Sequence, residues 1–277
     1  MQNDNAKFKN ESERIFEQYL DSNGFQDERI HEPEIKGKNR KIDYLLNWKG
    51  CKNFFEVKEL RKKFNEPVTR ATHFNPYSSL RTKINEARKQ FKEYKEYSCS
   101  LVVYNCGDSS AVLKPDIILG AMLGNLGIAA DFDTEKDEAV AGSERNVFLD
   151  GGKMIDGKRK QPQNTTTSAI VVVEAFLDNA EIEKAMQEEV KKQKRELTGP
   201  EFVKVRMKLQ KDHKVRSVLR VVVIENPFAR VMFPGDLFCG SFDERWKWRE
   251  DLNGKVERVF AGSKLKELEE LKDKSKN

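Results

Sequence analysis

The sequence predicts an α/β fold: a mixed β-sheet flanked by helices, with a core running helix, three strands, helix, strand, followed by C-terminal strands and a charged helical insertion. Two amphipathic segments with helical spacing bracket a hairpin signal at Lys49-Gly50, and three apolar runs, "SCSLVVYNC", "SAIVVVEAF" and "SVLRVVVIENPFA", have the composition of strands. A chain of 277 residues with 38% hydrophobic content can bury one sizeable core, so residues 1–277 are expected to form one domain.

In "ESERIFEQYLDSNGF", Ile15, Phe16, Tyr19 and Leu20 recur at helical spacing and Gly24 supplies a stop. Glu13 precedes Phe16 by three residues and Leu20 by seven, which puts it on or beside the apolar stripe. A short strand is expected near "ERIHEPEI". The runs "KIDYLLNW" and "CKNFFEVKEL" read as a hairpin turning at Lys49-Gly50, so residues whose numbers sum to 99 face each other: Trp48 with Cys51, Leu45 with Phe54, Asp43 with Glu56. After a loop with two prolines, "LRTKINEARKQFKEYKEY" predicts a helix burying Ile84, Ala87, Phe91 and Tyr94, and "SCSLVVYNC" follows as a buried strand. These elements, about Asn10 to Cys106, are the expected core. "KPDIILGAMLGNLG" reads as a short helix, and Asp131 to Thr166, rich in Gly and charge, as largely loop. The insertion, about Asn179 to Arg216, is helical and broken near "LTGPE", where Thr198 and Glu201 form a capping-box signature. Residues 217–277 supply a C-terminal strand and a short amphipathic helix.

No run of about 18 apolar residues occurs and the N-terminus lacks an apolar signal region, so a cytoplasmic protein without membrane contact is expected. Cys51, Cys99, Cys106 and Cys239 have no zinc-like pairing and read as reduced structural thiols. His31, His73 and His213 are scattered, which disfavours a zinc hydrolase, and no glycine-rich phosphate loop ending in Lys-Ser/Thr appears, which disfavours ATP use.

The hairpin carries the chemistry. With Asp43 opposite Glu56, two carboxylates stand about 5 Å apart at Cβ on one face, and Lys58 points to the same face. Like charges directly opposite destabilise a strand pair, so the arrangement makes sense with a cation between them. Mg2+, with Mn2+ as a substitute, takes oxygen ligands from one or two carboxylates and keeps waters for substrate to replace. Acid-x-lysine is a cheap pattern: it occurs seven times in a chain that is 35% charged, and an outward polar hairpin face is the plain alternative. Only the copy at Glu56 lies in an apolar strand with a partner acid in register.

Asp43 as lone acid, "EVK" at Glu56 to Lys58, and "SERIFEQYLDSNGF" as first helix together resemble the PD-(D/E)XK nuclease superfamily, the restriction-endonuclease-like fold, over about Asn10 to Cys106. Ile42 stands where the motif's name has proline. The resemblance implies a Mg2+-dependent endonuclease acting on DNA, in restriction, phage defence or mobile-element biology. Asp43 and Glu56, with the Val57 carbonyl as a further ligand, hold the metal in this picture; Lys58 orients a water and stabilises developing charge, and Glu13 extends the shell. Glu13 alternatively complements the helix dipole in the first turn. Gln90, beside Phe91, reaches the site edge from the second helix or else lies on its surface.

Charge points to a polyanion. The chain carries a net +5, but Lys58 to Lys95 holds eleven bases against four acids and Lys191 to Arg216 ten against three, whereas Asp131 to Asp150 holds seven acids against two bases. Arg61, Lys62, Lys63, Arg70, Arg81 and Lys83 are the expected phosphate contacts; the second basic segment coats a solvated helix or offers another surface. Trp246 and Trp248 stack on bases or pack. The sequence leaves RNA, a homodimeric state, a catalytically inactive nucleic-acid-binding or interaction protein of the same fold, and a chance motif in an unrelated α/β protein as alternatives.

Overall fold

The computed structural model describes residues 10–61, 75–107, 113–149, 151–156, 161–193, 197–213, 215–249 and 255–274. Helix α1 (Glu11–Ser22) opens the chain, with Asn10 Oδ1 accepting the Glu13 N–H as its N-cap. Strand β1 (Arg29–His31) pairs antiparallel with β2 (Tyr44–Trp48), and β2 with β3 (Cys51–Leu60). Lys49 and Gly50 both take positive φ, 49° and 78°, the left-handed backbone that a tight two-residue hairpin demands. Helix α2 (Ser78–Phe91) returns the chain to β4 (Ser98–Asn105), which runs parallel to β3.

Helix α3 (Pro115–Leu123) begins on Pro115, which fits the first turn because its missing N–H has no partner to lose there. The stretch expected to be largely loop is so among its described residues, with short strands that form three small ribbons. β5 (Leu126–Ala129) pairs with β8 (Arg145–Phe148), β6 (Phe132–Asp133) with β7 (Glu138–Ala139), and β9 (Ile155–Asp156) with β10 (Gln161–Pro162). Strands of two to four residues carry too little alternation to register as a sequence signal.

The main sheet continues with β11 (Ala169–Asp178), parallel to β4, and β12 (Arg216–Glu225), antiparallel to β11. Between them stand α4 (Ala180–Gln193) and α5 (Gly199–Asp212), broken where expected; Glu201 accepts the Thr198 N–H at 2.9 Å at the start of α5. No residue of α5 is buried, and it is fastened to α4 by Arg206, 2.6 Å from the buried Glu183. β13 (Glu244–Arg249), β14 (Lys255–Ala261) and α6 (Ser263–Lys274) complete the order, giving an eight-stranded mixed sheet β1-β2-β3-β4-β11-β12-β13-β14. Trp246 and Trp248 pack against the core, Trp248 with its ring centroid 4.3 Å from that of Phe148, so packing is their role.

The two faces of the sheet bury separate cores. Phe54 and Leu60 face Leu80, Ile84, Ala87 and Phe91 of α2 together with α3. Tyr44, Phe55 and Val57 face Ile15, Phe16, Tyr19 and Leu20 of α1. Among the described residues no helix is long and apolar enough to cross a membrane, and the four cysteines are free thiols.

Candidate active site

Alternation along β3 sends Glu56 and Lys58 to the α2 face with Phe54 and Leu60. Lys58 Nζ donates to Glu56 Oε1 at 2.5 Å, an i,i+2 pair on one strand face. Glu56 is only 2% exposed, and its second oxygen, Oε2, is buried with no hydrogen-bond partner. Burial first, and the neighbouring Asp43 carboxylate second, push the Glu56 carboxyl up to about 7. Burial also works against the Lys58 ammonium, but Glu56, Asp43 and Glu86 outweigh it and hold Lys58 above the ordinary lysine value.

Asp43 sits one residue before β2. The hairpin register is as the sequence dictates from Trp48↔Cys51 to Tyr44↔Phe55, where the ladder ends. Beyond it, Asp43 Oδ2 accepts the Val57 N–H at 2.7 Å, so the carboxylate replaces the carbonyl that β2 no longer supplies. In extended backbone the N–H and C=O of one residue point to the same edge, which puts the Val57 carbonyl on the Asp43 side.

This donor set fits Mg2+. Among the described residues no three His, Cys, Asp or Glu side chains are grouped to hold a metal ion, and the residues that would hold one here are Asp43, Glu56 and the Val57 carbonyl. Mg2+ is bound in this open manner, keeping several waters. The buried, unpartnered Glu56 Oε2 is the feature that asks for a cation, because a lone carboxylate oxygen out of water is costly.

Glu13 is placed differently. It is buried over the α1 face, hydrogen-bonded by Asn10 at 3.0 Å and 4.0 Å from His31 Nε2, beside Tyr44. Glu56 and Lys58 alternate with Phe55 and Val57, the β3 residues that pack toward α1, and Glu13 and Asp43 both lie near enough to Tyr44 to act on its hydroxyl. Gln90 is half-buried near the end of α2, one turn beyond Glu86 on the stripe that begins at Lys83.

Of the expected phosphate contacts, Arg81 is committed elsewhere. Arg81 turns inward: its Nη2 donates to the Gly120 carbonyl at 2.9 Å and to Asn125 Oδ1 at 2.8 Å, and its guanidinium lies 4.7 Å from the Tyr77 ring centroid. It braces α2 against α3, and burial lowers its pKa. Arg61 is 60% exposed but pairs with Glu59 at 2.7 Å and Glu11 at 3.8 Å, and donates to Cys106 Sγ. Lys83 pairs with Glu86 at 3.0 Å. Lys62, Lys63 and Arg70 lie outside the described residues. Arg81→Ala is therefore expected to cost about 1–3 kcal/mol of stability, by leaving the part-buried Gly120 carbonyl without its partner, while any affinity for duplex DNA stays unchanged. Urea unfolding paired with a DNA titration checks it; a normal melt with weakened binding would restore Arg81 to the interface.

Two groups at the site escaped the sequence reading. Glu86 contributes its charge to Lys58, and Tyr94, close enough to Glu56 to feel its carboxylate, donates from its hydroxyl to the Arg40 carbonyl at 2.5 Å. The Lys83, Glu86, Gln90 spacing was the available signal for the first; the second depends on a loop whose path no local pattern reveals. Comparison with protein-family models, curated proteins and solved structures finds no match to this chain.

Proposed function

We propose that this chain is a Mg2+-dependent endonuclease that hydrolyses phosphodiester bonds in DNA, and that its first hundred residues adopt the restriction-endonuclease-like fold of the PD-(D/E)XK superfamily. The observation that carries the reading is Glu56: a buried carboxylate with one oxygen on Lys58, the other unpartnered, and Asp43 beside it at the end of the hairpin ladder. The chain order α1, β1-β2-β3 meander, α2, and β4 parallel to β3 supports the fold assignment.

In this reading Asp43 and Glu56 hold the ion, with the Val57 carbonyl on the same edge. Bound Mg2+ supplies Lewis acidity toward the scissile phosphate and a more acidic water. Asp43 is fixed by the Val57 N–H, so its carboxylate is oriented before substrate arrives. Glu56 must be deprotonated to serve, and its pKa of about 7 makes it ready for that change near neutrality. Lys58, charged and partly exposed at 24%, reaches out of the floor to orient the attacking water and offset charge on the phosphorane-like transition state.

Incubating the full chain with supercoiled plasmid, with Mg2+ and with chelator, tests the reading. Metal-dependent nicking or linearisation is the expected result. Intact plasmid under all divalent ions overturns it.

A further inference from the structure

We infer that the β1–β2 loop, Lys36 to Lys41, is the element that grips the DNA backbone beside the site; this rests on the nuclease reading for its substrate but concerns binding alone. The loop reads "KGKNRK", four bases in six residues without an acid, and runs directly into Ile42 and Asp43. It lies on the same side of the sheet as Glu56 and Lys58, since Ile42 belongs to the α2-face core and Ile35 packs against it.

The loop is held in shape by the segment that follows α2. Glu93 Oε2 accepts the Asn39 N–H at 2.6 Å and the Arg40 N–H at 3.3 Å, the Tyr94 hydroxyl donates to the Arg40 carbonyl, and Lys38 Nζ donates to Glu96 at 2.6 Å and to the Glu93 carbonyl. Gly37 takes φ 78°, the left-handed turn that lets the chain double back. The Tyr94 ring centroid lies 4.8 Å from that of Phe54, two residues before Glu56 on the same strand face, so this brace ties the loop to the floor of the site. The loop runs straight into Asp43, whose carboxylate is held by the Val57 N–H, one residue before Lys58, so a nucleic-acid strand reaching Lys58 would pass close to the loop's end.

The loop's cations differ from Arg81 in what they have to give up. Lys36 is exposed; Arg40 pairs with Glu93 at 3.6 Å and Lys41 with Glu32 at 3.8 Å, long, solvated contacts of little net worth. Exchanging them for phosphate costs little, whereas Arg81 is committed to two hydrogen bonds in the α2–α3 joint. The loop also encloses a cavity of about 470 Å³ whose walls include Lys36, Lys38, Arg40 and Lys41, and also Glu32 and Glu34. Lys38 belongs to the brace, so Lys36, Arg40 and Lys41 are the backbone contacts.

The test is the salt dependence of binding to a short mixed-sequence DNA duplex, measured with Ca2+ to hold cleavage off. Each phosphate contact contributes about 0.9 to the slope of log affinity on log salt, so K36Q/R40Q/K41Q should flatten the slope by about two to three. The charge-preserving K36R/R40K/K41R should keep it. If the Gln triple destabilises the chain, Lys36→Gln and Lys41→Gln singly should each remove about 0.9. An unchanged slope, or a loss seen instead in K204Q/K208Q/K211Q on the exposed face of α5, overturns the inference. Wild-type chain that binds with this slope yet never cuts under Mg2+ leaves the loop's role standing and removes the catalytic reading; wild-type chain that does not bind duplex overturns the loop's role.

Discussion

Glu56→Gln is expected to abolish metal-dependent cleavage and, without metal, to raise the melting temperature above pH 7. Glu56 is buried, faces Asp43, and has its carboxyl pushed up to about 7 from an ordinary 4.5 even with Lys58 on one oxygen. The fold thus holds the Glu56 proton more tightly than the unfolded chain does. That contribution is fully present below about pH 4.5 and is lost as pH rises through about 7. A span from 4.5 to about 7 corresponds to about 3 kcal/mol at about 1.36 kcal/mol per decade. Glutamine keeps the shape and removes the charge, so wild-type and variant melting curves should coincide near pH 4.5 and separate by pH 8. Mg2+ should raise the wild-type melting temperature at pH 8, lose that effect as pH falls below about 7 and protons compete for Glu56, and leave the variant unmoved. Residual cleavage, or a variant less stable at pH 8, would sink the assignment of Glu56 as the metal carboxylate. Asp43→Asn is the matched companion: it keeps an acceptor for the Val57 N–H, which Asp43→Ala would leave buried and unpaired at a cost of about 1–3 kcal/mol.

What was legible in the sequence is what local geometry decides. The register of the hairpin follows from two residues, Lys49 and Gly50, able to adopt positive φ, and from there the parity of the strand places Glu56 and Lys58 on one face. The α2 stripe, Ile84, Ala87, Phe91 and then Tyr94, was readable because burial has the helical period; Tyr94 is buried although the helix has already ended at Phe91. What escaped depends on partners far along the chain. Arg81 looked like a free cation until α3 and Asn125 arrived to accept its protons. Arg61 has a local partner in Glu59 at 2.7 Å, but its further contacts, Glu11 at 3.8 Å and Cys106 Sγ, lie about fifty residues away on either side, outside any window. Glu13 sits on the buried stripe as its spacing requires, but which sheet residues α1 covers is settled by the whole core, and they are Tyr44, Phe55 and Val57. Asp43 shows the intermediate case. The register leading to it was correct up to Tyr44↔Phe55, while the expected pairing with Glu56 gave way to a side-chain bond to the Val57 N–H because the ladder stops one residue short.

Lys58→Met is expected to lower the cleavage rate at saturating DNA by about 10²–10³-fold while barely weakening binding, because a cation aimed at developing charge acts in the transition state. The side chain is suited to that role. Its stem leaves the sheet beside Glu56, the side chain is 24% exposed, and three carboxylates, Glu56, Asp43 and Glu86, keep it protonated. Methionine preserves the stem and its packing. Binding loses at most one phosphate contact, about 0.9 in salt slope, against the several expected from the β1–β2 loop. A second readout separates catalysis from mere structure. Removing the lysine takes away the charge and hydrogen bond that now pull the Glu56 pKa down, so the pH at which Mg2+ begins to raise the melting temperature should move upward from about 7 in Lys58→Met. Rate loss with that upward move and near-constant affinity is the expected pattern. Equal losses in rate and affinity, with the metal's pH midpoint unmoved, would make Lys58 one phosphate anchor among many and leave the transition-state charge without its donor.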